Sequence, residues 1–355
     1  MDGVRLKSDA PIVSRSTLGP LAGSEWASIP PDCRCLVLGG GGFIGVHLCR
    51  ALIEQGAVVQ SFGRPAVARD AVHPDVVMSL GDFSDHVALA RAVEGQDVVF
   101  HLIGGSNPAS SNRDPAAEIA MGTLNTLHLL DIALAEGVSK IVFISSGGTV
   151  YGIPNTVPIA ETAPTEPISA YGIDKLTIEK YLALYHHLYG LNYHVLRVAN
   201  PYGPYQSPYK KQGVVAAFVH RALAGDPLTI WGTGEVTRDF IYVDDVVSAL
   251  LACVSYTGSR RVMNVGSGRG LSINQVVQDL EQVLARGTLP VLRKHARDSD
   301  VPVNVLDVSL IAQEIGWRPT VSWIEGLRAT VEWAESQRHG GRGPRSVAAR
   351  QKPRS

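Results

Sequence analysis

A chain of 355 residues with a formal net charge of -1 has room for one large domain or two ordinary ones, and at 45% hydrophobic and 18% charged it can bury a substantial core. The near-neutral balance argues against a nucleic-acid surface, and no apolar run is long enough to span a bilayer. Cys33, Cys35, Cys49 and Cys253 have neither zinc nor disulfide spacing, so they read as reduced buried thiols and no metal is expected; without a signal-peptide pattern, a cytoplasmic protein is the default.

Residues 1–32, broken by Pro11, Pro20, Pro30 and Pro31, read as a flexible extension. Cys35 to Leu38 is a short apolar strand. It runs into Gly39-Gly40-Gly41-Gly42-Phe43-Ile44-Gly45 and then a helix from Val46 to Gln55, closed by Gly56. Strand, glycine turn and helix in this order point to dinucleotide binding, because glycines let a pyrophosphate approach backbone N–H groups at a helix N-terminus. The run fits both G-x-G-x-x-G and G-x-x-G-x-x-G, with Gly39, Gly42, Phe43, Ile44 and Gly45 as the candidate cofactor residues. A second strand, Ala57 to Phe62, ends at Gly63-Arg64, where an acidic residue normally holds the ribose 2′-hydroxyl of NAD. Arg64 either meets the 2′-phosphate of NADP or flanks the adenine, so the expected cofactor is NAD with NADP as the alternative. A third strand, Asp75 to Leu80, leads to Asp82 and Phe83, placed to meet the adenine edge and face. Helix Ala88 to Val93 precedes a fourth strand, Asp97 to Leu102, whose His101 reads as packed rather than catalytic. Leu102, Ile103 and Gly104 follow as further cofactor-side candidates.

A helix from about Pro115 to Glu136 leads to strand Lys140 to Ser145, followed by Ser146-Gly147-Gly148-Thr149-Val150-Tyr151-Gly152. Strands alternating with helices indicate an α/β fold with a doubly wound parallel sheet, in which ligands sit outside the carboxyl ends of the strands. The glycine turn, Ser146 and the helix opened by Tyr171 all fall at those ends. Tyr171 and Lys175, four residues apart, share a helix face, a pattern that on its own also describes an ordinary surface pair. A phenol titrates near pH ~10 and a nearby ammonium lowers that value, which makes Tyr171 a general acid/base with Lys175 as its partner. Beyond lie strand His194 to Val198, helix Gly213 to Leu223, helix Val246 to Ala252 and strand Val262 to Gly266. The expected organisation is a dinucleotide-binding domain over 33–197, a mainly substrate-binding lobe over 198–336 with parts near 239–266 returning to the first domain, and a disordered basic tail over 337–355.

These stretches resemble the extended short-chain dehydrogenase/reductases of the nucleotide-sugar epimerase and dehydratase family, over roughly Cys33 to Glu335. The likeness is carried by Gly39 to Gly45, Ser145 to Gly152, Tyr171 to Lys175, Leu196 to Gly203, Arg238 to Asp245, Asn264 to Gly268 and Gly316 to Pro319. Within the family the chain is most similar to the 4-epimerases of UDP-glucose and other UDP-hexoses. The resemblance implies a Rossmann fold, a bound nicotinamide dinucleotide and a UDP-sugar substrate. It also implies a homodimer built from helices 115–136 and 171–189. Tyr171 becomes the acid/base and Lys175 its partner on the nicotinamide ribose, with Ser145 on the cofactor side. Asn200 falls near the substrate, and Arg238 and Arg297 fall on its diphosphate, for which a planar guanidinium fork is suited. Ser106, Gly147, Val198 and Tyr205 are candidates for the sugar pocket. Three positions depart from the family pattern. The usual Ser or Thr falls on Gly147, so Ser146, Thr149 or a water must supply the hydroxyl. Gly63 replaces the usual Asp, and Ile119 stands where Asn is common. The implied reaction passes hydride from C4 to the cofactor and back through a 4-keto sugar. The alternative is an NADPH-dependent 4-ketoreductase. A 4,6-dehydratase is disfavoured, because Gly148 and Thr149 stand where its acidic pair is placed, and a non-catalytic sensor has no reason to keep both Tyr171 and Lys175.

Overall fold

The computed structural model describes residues 29–65, 71–104, 108–209, 213–296 and 301–340. β1 (Arg34–Leu38) enters the glycine turn and α1 (Phe43–Glu54) leaves it. β2 (Val58–Gly63), β3 (Val77–Leu80), α2 (His86–Val93) and β4 (Val98–His101) follow. α2 starts earlier than its apolar spacing suggests because Asp85 caps it, accepting a hydrogen bond from the Ala88 N–H. α3 (Pro108–Ser111) and α4 (Pro115–Ile119) lead through a π-turn (Ala120–Leu124) into α5 (Asn125–Ala135). The single helix expected over 115–136 is thus interrupted. The cause is a close approach: a Cβ on Gly122 would overlap the Asp174 carboxylate, and the wider turn brings this backbone against it.

β5 (Lys140–Ser146), α6 (Ala170–Tyr189) and β6 (Tyr193–Val198) complete the central motif. Ser169 caps α6 by accepting from the Gly172 N–H, and Gly190, left-handed at φ +73°, ends it. The remainder comprises β7 (Asn200–Tyr202), α7 (Val214–Ala224), β8 (Leu228–Trp231), β9 (Thr237–Tyr242), α8 (Val243–Ser255), β10 (Val262–Val265) and β11 (Gly270–Ser272). It closes with α9 (Ile273–Leu284), β12 (Val291–Lys294), β13 (Val303–Asn304), α10 (Ser309–Ile315) and α11 (Trp323–Gly340).

Seven strands form a parallel sheet in the order β10-β6-β5-β4-β1-β2-β3. Its interior strands are apolar on both faces, as helices on both sides require. Cys35 and Val37 enter one core and Leu36 and Leu38 the other, all fully buried. The strand order reverses between β1 and β4, which places a crevice at the carboxyl ends there. A second sheet has β9 at its centre, paired with β7, β11 and β13, and β12 pairs with β8. A third core, including Tyr202, Phe240, Tyr242 and Leu327, joins β9 to α7, α9 and α11.

The two ends of the chain differ slightly from expectation. Ile29 is buried and the Asp32 N–H donates to Gly56 O, so order begins before residue 33; the rest of the expected extension, 1–28, lies outside the described residues. α11 runs to Gly340, past the expected start of the tail, whose residues 341–355 also lie outside. Among the described residues all four cysteines are reduced and buried, no group of three or more His, Cys, Asp or Glu is placed to hold a metal, and no helix is long and apolar enough to cross a membrane.

Candidate active site

Gly39 is left-handed at φ +85°, and its N–H donates to Phe62 O at 2.8 Å. A Cβ on Gly45 would overlap Gly39 O and the Gly40 backbone, so α1 begins directly on the turn. Gly42 precedes Phe43 and offers α1 no side-chain cap. The first N–H groups of α1, including those of Ile44 and Gly45, therefore have no side-chain competitor for an anion, and the turn fits a dinucleotide diphosphate. Gly63 lies beside Gly39, and Arg64 next to it is exposed. The Asp82 carboxylate accepts from Ser84 N and Oγ, and these bonds, with a smaller contribution from Arg64, hold it below the ordinary carboxylate range. Phe83, expected to meet the adenine face, is buried with its ring against His101, 5.2 Å between centroids.

The glycine turn leads to the tyrosine and lysine through the end of β4. A Cβ on Gly39 would lie 3.4 Å from Ile103 Cγ1, within reach of the Leu102–Ile103 backbone. A Cβ on Gly104 would lie 3.8 Å from Lys175 Nζ and 3.9 Å from the Tyr171 ring. Lys175 is buried and donates to Ile144 O at 3.1 Å and Ile103 O at 3.4 Å; its Nζ sits 4.5 Å from the Phe143 ring centroid. The glycine turn, β4, β5 and α6 thus converge on one cleft. The electrostatics of the phenol differ from the expectation. Burial, with the carboxylates of Glu118 and Asp174, pushes the Tyr171 phenol above its ordinary range, where Lys175 was expected to lower it. The ammonium lies over the ring, 5.9 Å from its centroid, and is outweighed. Burial pulls Lys175 down to about 8, against the opposing pull of Asp174, Glu118 and Glu179.

Ser145 and Ser146 are adjacent on β5 and point to opposite faces. Ser145, expected on the cofactor side, is buried and donates to Glu179 Oε1. Glu179 takes three hydrogen bonds from Arg197, at 2.7 to 3.2 Å, and Arg197 also donates to the Tyr151 hydroxyl at 3.0 Å. Ser146 is half-buried. The Thr149 Oγ1 is buried with no hydrogen-bond partner among the described residues, and its Cβ packs on Gly172 in the first turn of α6. Gly147 is dictated by packing: a Cβ there would lie 2.5 Å from Leu306 Cδ1 and 3.0 Å from Arg197 O. Its carbonyl accepts from Asn304 Nδ2 at 3.0 Å. His101, expected to be packed at the strand end, is buried beside Thr126 Oγ1 at 2.9 Å, and burial holds its imidazole down to about 3.

In the second sheet, Asn200 Nδ2 donates to Asp239 O and Arg238 Nη1 donates to Thr237 O and Val301 O. Val198 is buried. Tyr205 is left-handed at φ +65°, a strained state for a tyrosine, with its ring against His47 and Trp333. His47 in turn places Nε2 3.1 Å from Pro204 O and Nδ1 3.1 Å from Asp244 Oδ1. Arg297 and Ser106 lie outside the described residues. Sequence reasoning did not single out Glu118, Asp174, Glu179, Arg197, Asn304 or Leu306. Of these Asp174 and Glu179 were accessible, since they stand directly before Lys175 and one helical repeat beyond it; the others meet the site only through folding.

Three comparisons bear on this geometry. The sequence profile of the NAD dependent epimerase/dehydratase family matches residues 35–266. A UDP-glucose 4-epimerase of Mycolicibacterium smegmatis is 34% identical over 307 residues, covering 84% of this chain and 98% of the relative. Among solved structures, a UDP-glucose 4-epimerase of Thermotoga maritima with UDP-glucose is similar at a TM-score of 0.82 and 38% identity, covering 85% of this chain and 99% of that one. A Thermus thermophilus UDP-glucose 4-epimerase in complex with NAD is similar at a TM-score of 0.78 and 33% identity, with the same two coverages.

Proposed function

The chain belongs to the NAD-dependent epimerase/dehydratase family, and from that premise we propose that it inverts C4 of a UDP-hexose, with NAD as the hydride carrier. The observation that carries the reading is the convergence of the glycine turn, Gly104, Lys175 and Tyr171 on one cleft at the carboxyl end of the parallel sheet.

Gly39, Gly42, Phe43, Ile44 and Gly45 would hold the dinucleotide diphosphate, and Lys175 the nicotinamide ribose. The bound dinucleotide would supply reversible hydride transfer at C4. The chain itself handles the proton. Tyr171 takes it from the 4-hydroxyl and returns it after the 4-keto sugar has turned over. The phenol is raised in the protein alone, so the cationic surroundings of the loaded cleft, Lys175 among them, must offset Glu118 and Asp174 for this step. Thr149, whose buried hydroxyl has a free bonding capacity, or Ser146 would hold O4 in line. Arg238 would face the substrate diphosphate and Asn200 its sugar side. Residues 33–197 would mainly serve the dinucleotide and 198–336 the substrate.

The test is turnover of a panel of UDP-hexoses by purified protein without added cofactor, followed by mass spectrometry of the dinucleotide it carries. Inversion at C4 with no net cofactor consumption is expected. Stoichiometric consumption of NADPH would overturn it in favour of a 4-ketoreductase, the reading that Arg64 at the end of β2 favours.

A homodimer is part of the proposal. Ile119 at the end of α4, Met121 and Leu124 on the π-turn, and Ile173, Leu184 and Leu188 on α6 are exposed, an apolar surface of the kind that marks an interface. Light scattering should give twice the chain mass, and Leu124→Glu should halve it.

A further inference from the structure

Tyr171, Lys175 and Glu179 follow one another at helical spacing along one face of α6. The first two reach the cleft, and Glu179 lies a turn beyond Lys175, 4% exposed. Its carboxylate is held from two strands. Ser145 Oγ on β5 donates to Oε1. Arg197 on β6 donates from Nε to both oxygens, at 3.1 and 3.2 Å, and from Nη2 to Oε2 at 2.7 Å. Ser145 and Arg197 are buried partners in the β5–β6 register, and Arg197 is the partner of Asn264 in the register of β6 with β10. One polar row therefore crosses three neighbouring strands near their carboxyl ends. Tyr151 ties the row together: its hydroxyl accepts from Arg197 Nη1 at 3.0 Å and donates to Asn264 Oδ1 at 2.7 Å.

The row meets the reacting groups one step along β5. Lys175 Nζ donates to Ile144 O at 3.1 Å, and the next residue is Ser145, which donates to Glu179. α6 and β5 are thus joined by two successive rungs, one turn apart on the helix and one residue apart on the strand. A rung at Lys175 alone would let its long side chain keep that bond while the helix shifted, because the aliphatic stem has many rotamers. The Glu179 rung, clamped by a planar guanidinium, removes that slack. A buried ion pair adds little net stability, since desolvation offsets its attraction, so stability is a weak reason for placing one here.

We propose that Glu179, held by Arg197 and Ser145, is a positioning residue for the reaction: it fixes α6 against β5 and thereby sets Lys175 and Tyr171 against the cofactor and the sugar 4-hydroxyl. This rests on the reading of Tyr171 and Lys175 as the acid/base pair. Loss of the brace lowers kcat, because displacing a reacting group by about 1 Å costs on the order of a hundredfold. The groups assigned to the two diphosphates, the glycine turn and Arg238, are untouched, so KM stays close to its value.

The experiment separates positioning from stability. Removing one partner strands a buried charge, whereas Glu179→Met combined with Arg197→Met removes both charges and fills the space with unbranched side chains. This double variant should melt close to wild type and retain its dinucleotide. Its kcat per bound dinucleotide should fall by about tenfold to a hundredfold, with KM within about twofold. Ser145→Ala, which removes only the rung on β5, should lower kcat by a smaller factor in the same way, and it serves if the double variant does not fold. Wild-type kcat in a folded variant, or a loss that falls on KM alone, overturns the proposal, because a pair that only stabilised the fold would leave folded molecules fully active. A second readout needs no turnover. Lys175 Nζ lies 4.5 Å from the Phe143 ring centroid, so the Cε–Hε signal of 13C-labelled Lys175, assigned with Lys175→Arg, carries a ring-current shift. That shift should change in both variants, and an unmoved signal defeats the role of Glu179. If the wild type inverts no UDP-hexose, the functional reading fails, and the ring-current shift still decides whether Glu179 positions Lys175.

Discussion

Gly147 stands where a hydroxyl residue is usual in the family, and the structure explains the exchange by close packing against two residues. Placing alanine there tests that explanation. The new Cβ would lie 2.5 Å from Leu306 Cδ1 and 3.0 Å from Arg197 O, and Leu306 is fully buried with its N–H held by Asp239 Oδ2. Forcing the side chains apart costs about 1–3 kcal/mol. Gly147 is not among the left-handed glycines, so alanine recovers about 0.4–1 kcal/mol by restricting the unfolded chain. The net expectation for Gly147→Ala is a loss of about 1–2 kcal/mol. Leu306→Ala alone should cost about 2–5 kcal/mol. In the double variant the added methyl enters the space that Leu306 leaves, so the two losses should fall short of their sum by about 1–2 kcal/mol. Urea unfolding of the four proteins measures this. A Gly147→Ala variant as stable as wild type, or losses that add to within about 0.5 kcal/mol, would refute the packing argument.

Three further outcomes follow from the same geometry. Tyr171→Phe should lower turnover by at least about a hundredfold with the circular dichroism spectrum unchanged, and full activity would remove Tyr171 from the acid/base role. Lys175 has a folded-state pKa of about 8, below the ordinary lysine range, so between those values the unfolded chain binds the extra proton and stability should rise with pH. Lys175→Met should abolish that rise when denaturant midpoints are compared from about pH 8 to pH 10, and an unchanged slope would assign it elsewhere. Glu179→Gln leaves the Arg197 guanidinium buried without its counter-ion and should cost about 3–5 kcal/mol; a loss under about 1 kcal/mol would mean that the pair is better solvated than its burial indicates.

The fold was legible because its signals are local. The apolar run of β1, the glycine turn and the helix after it lie within about twenty residues, and the alternation of strand and helix repeats that pattern along the chain. Tyr171 and Lys175 were legible for the same reason, since four residues on a helix make neighbours. What failed was whatever depends on a partner far along the chain. The helix over 115–136 has an unbroken apolar pattern, and nothing in it announces a π-turn; the cause is Asp174, fifty residues away. The ionisation of Tyr171 was judged from Lys175, its neighbour in sequence, whereas the opposing charge of Glu118 arrives from another helix and the burial from the whole sheet. Gly147 looks like a lost hydroxyl until Leu306, two residues past β13 and more than a hundred and fifty residues later, is seen to occupy its side-chain space. A catalytic site of this kind is therefore specified twice. A short motif chooses the reacting groups, and long-range contacts choose their electrostatics, so chains that share the motif are free to differ in the pH and packing under which it operates.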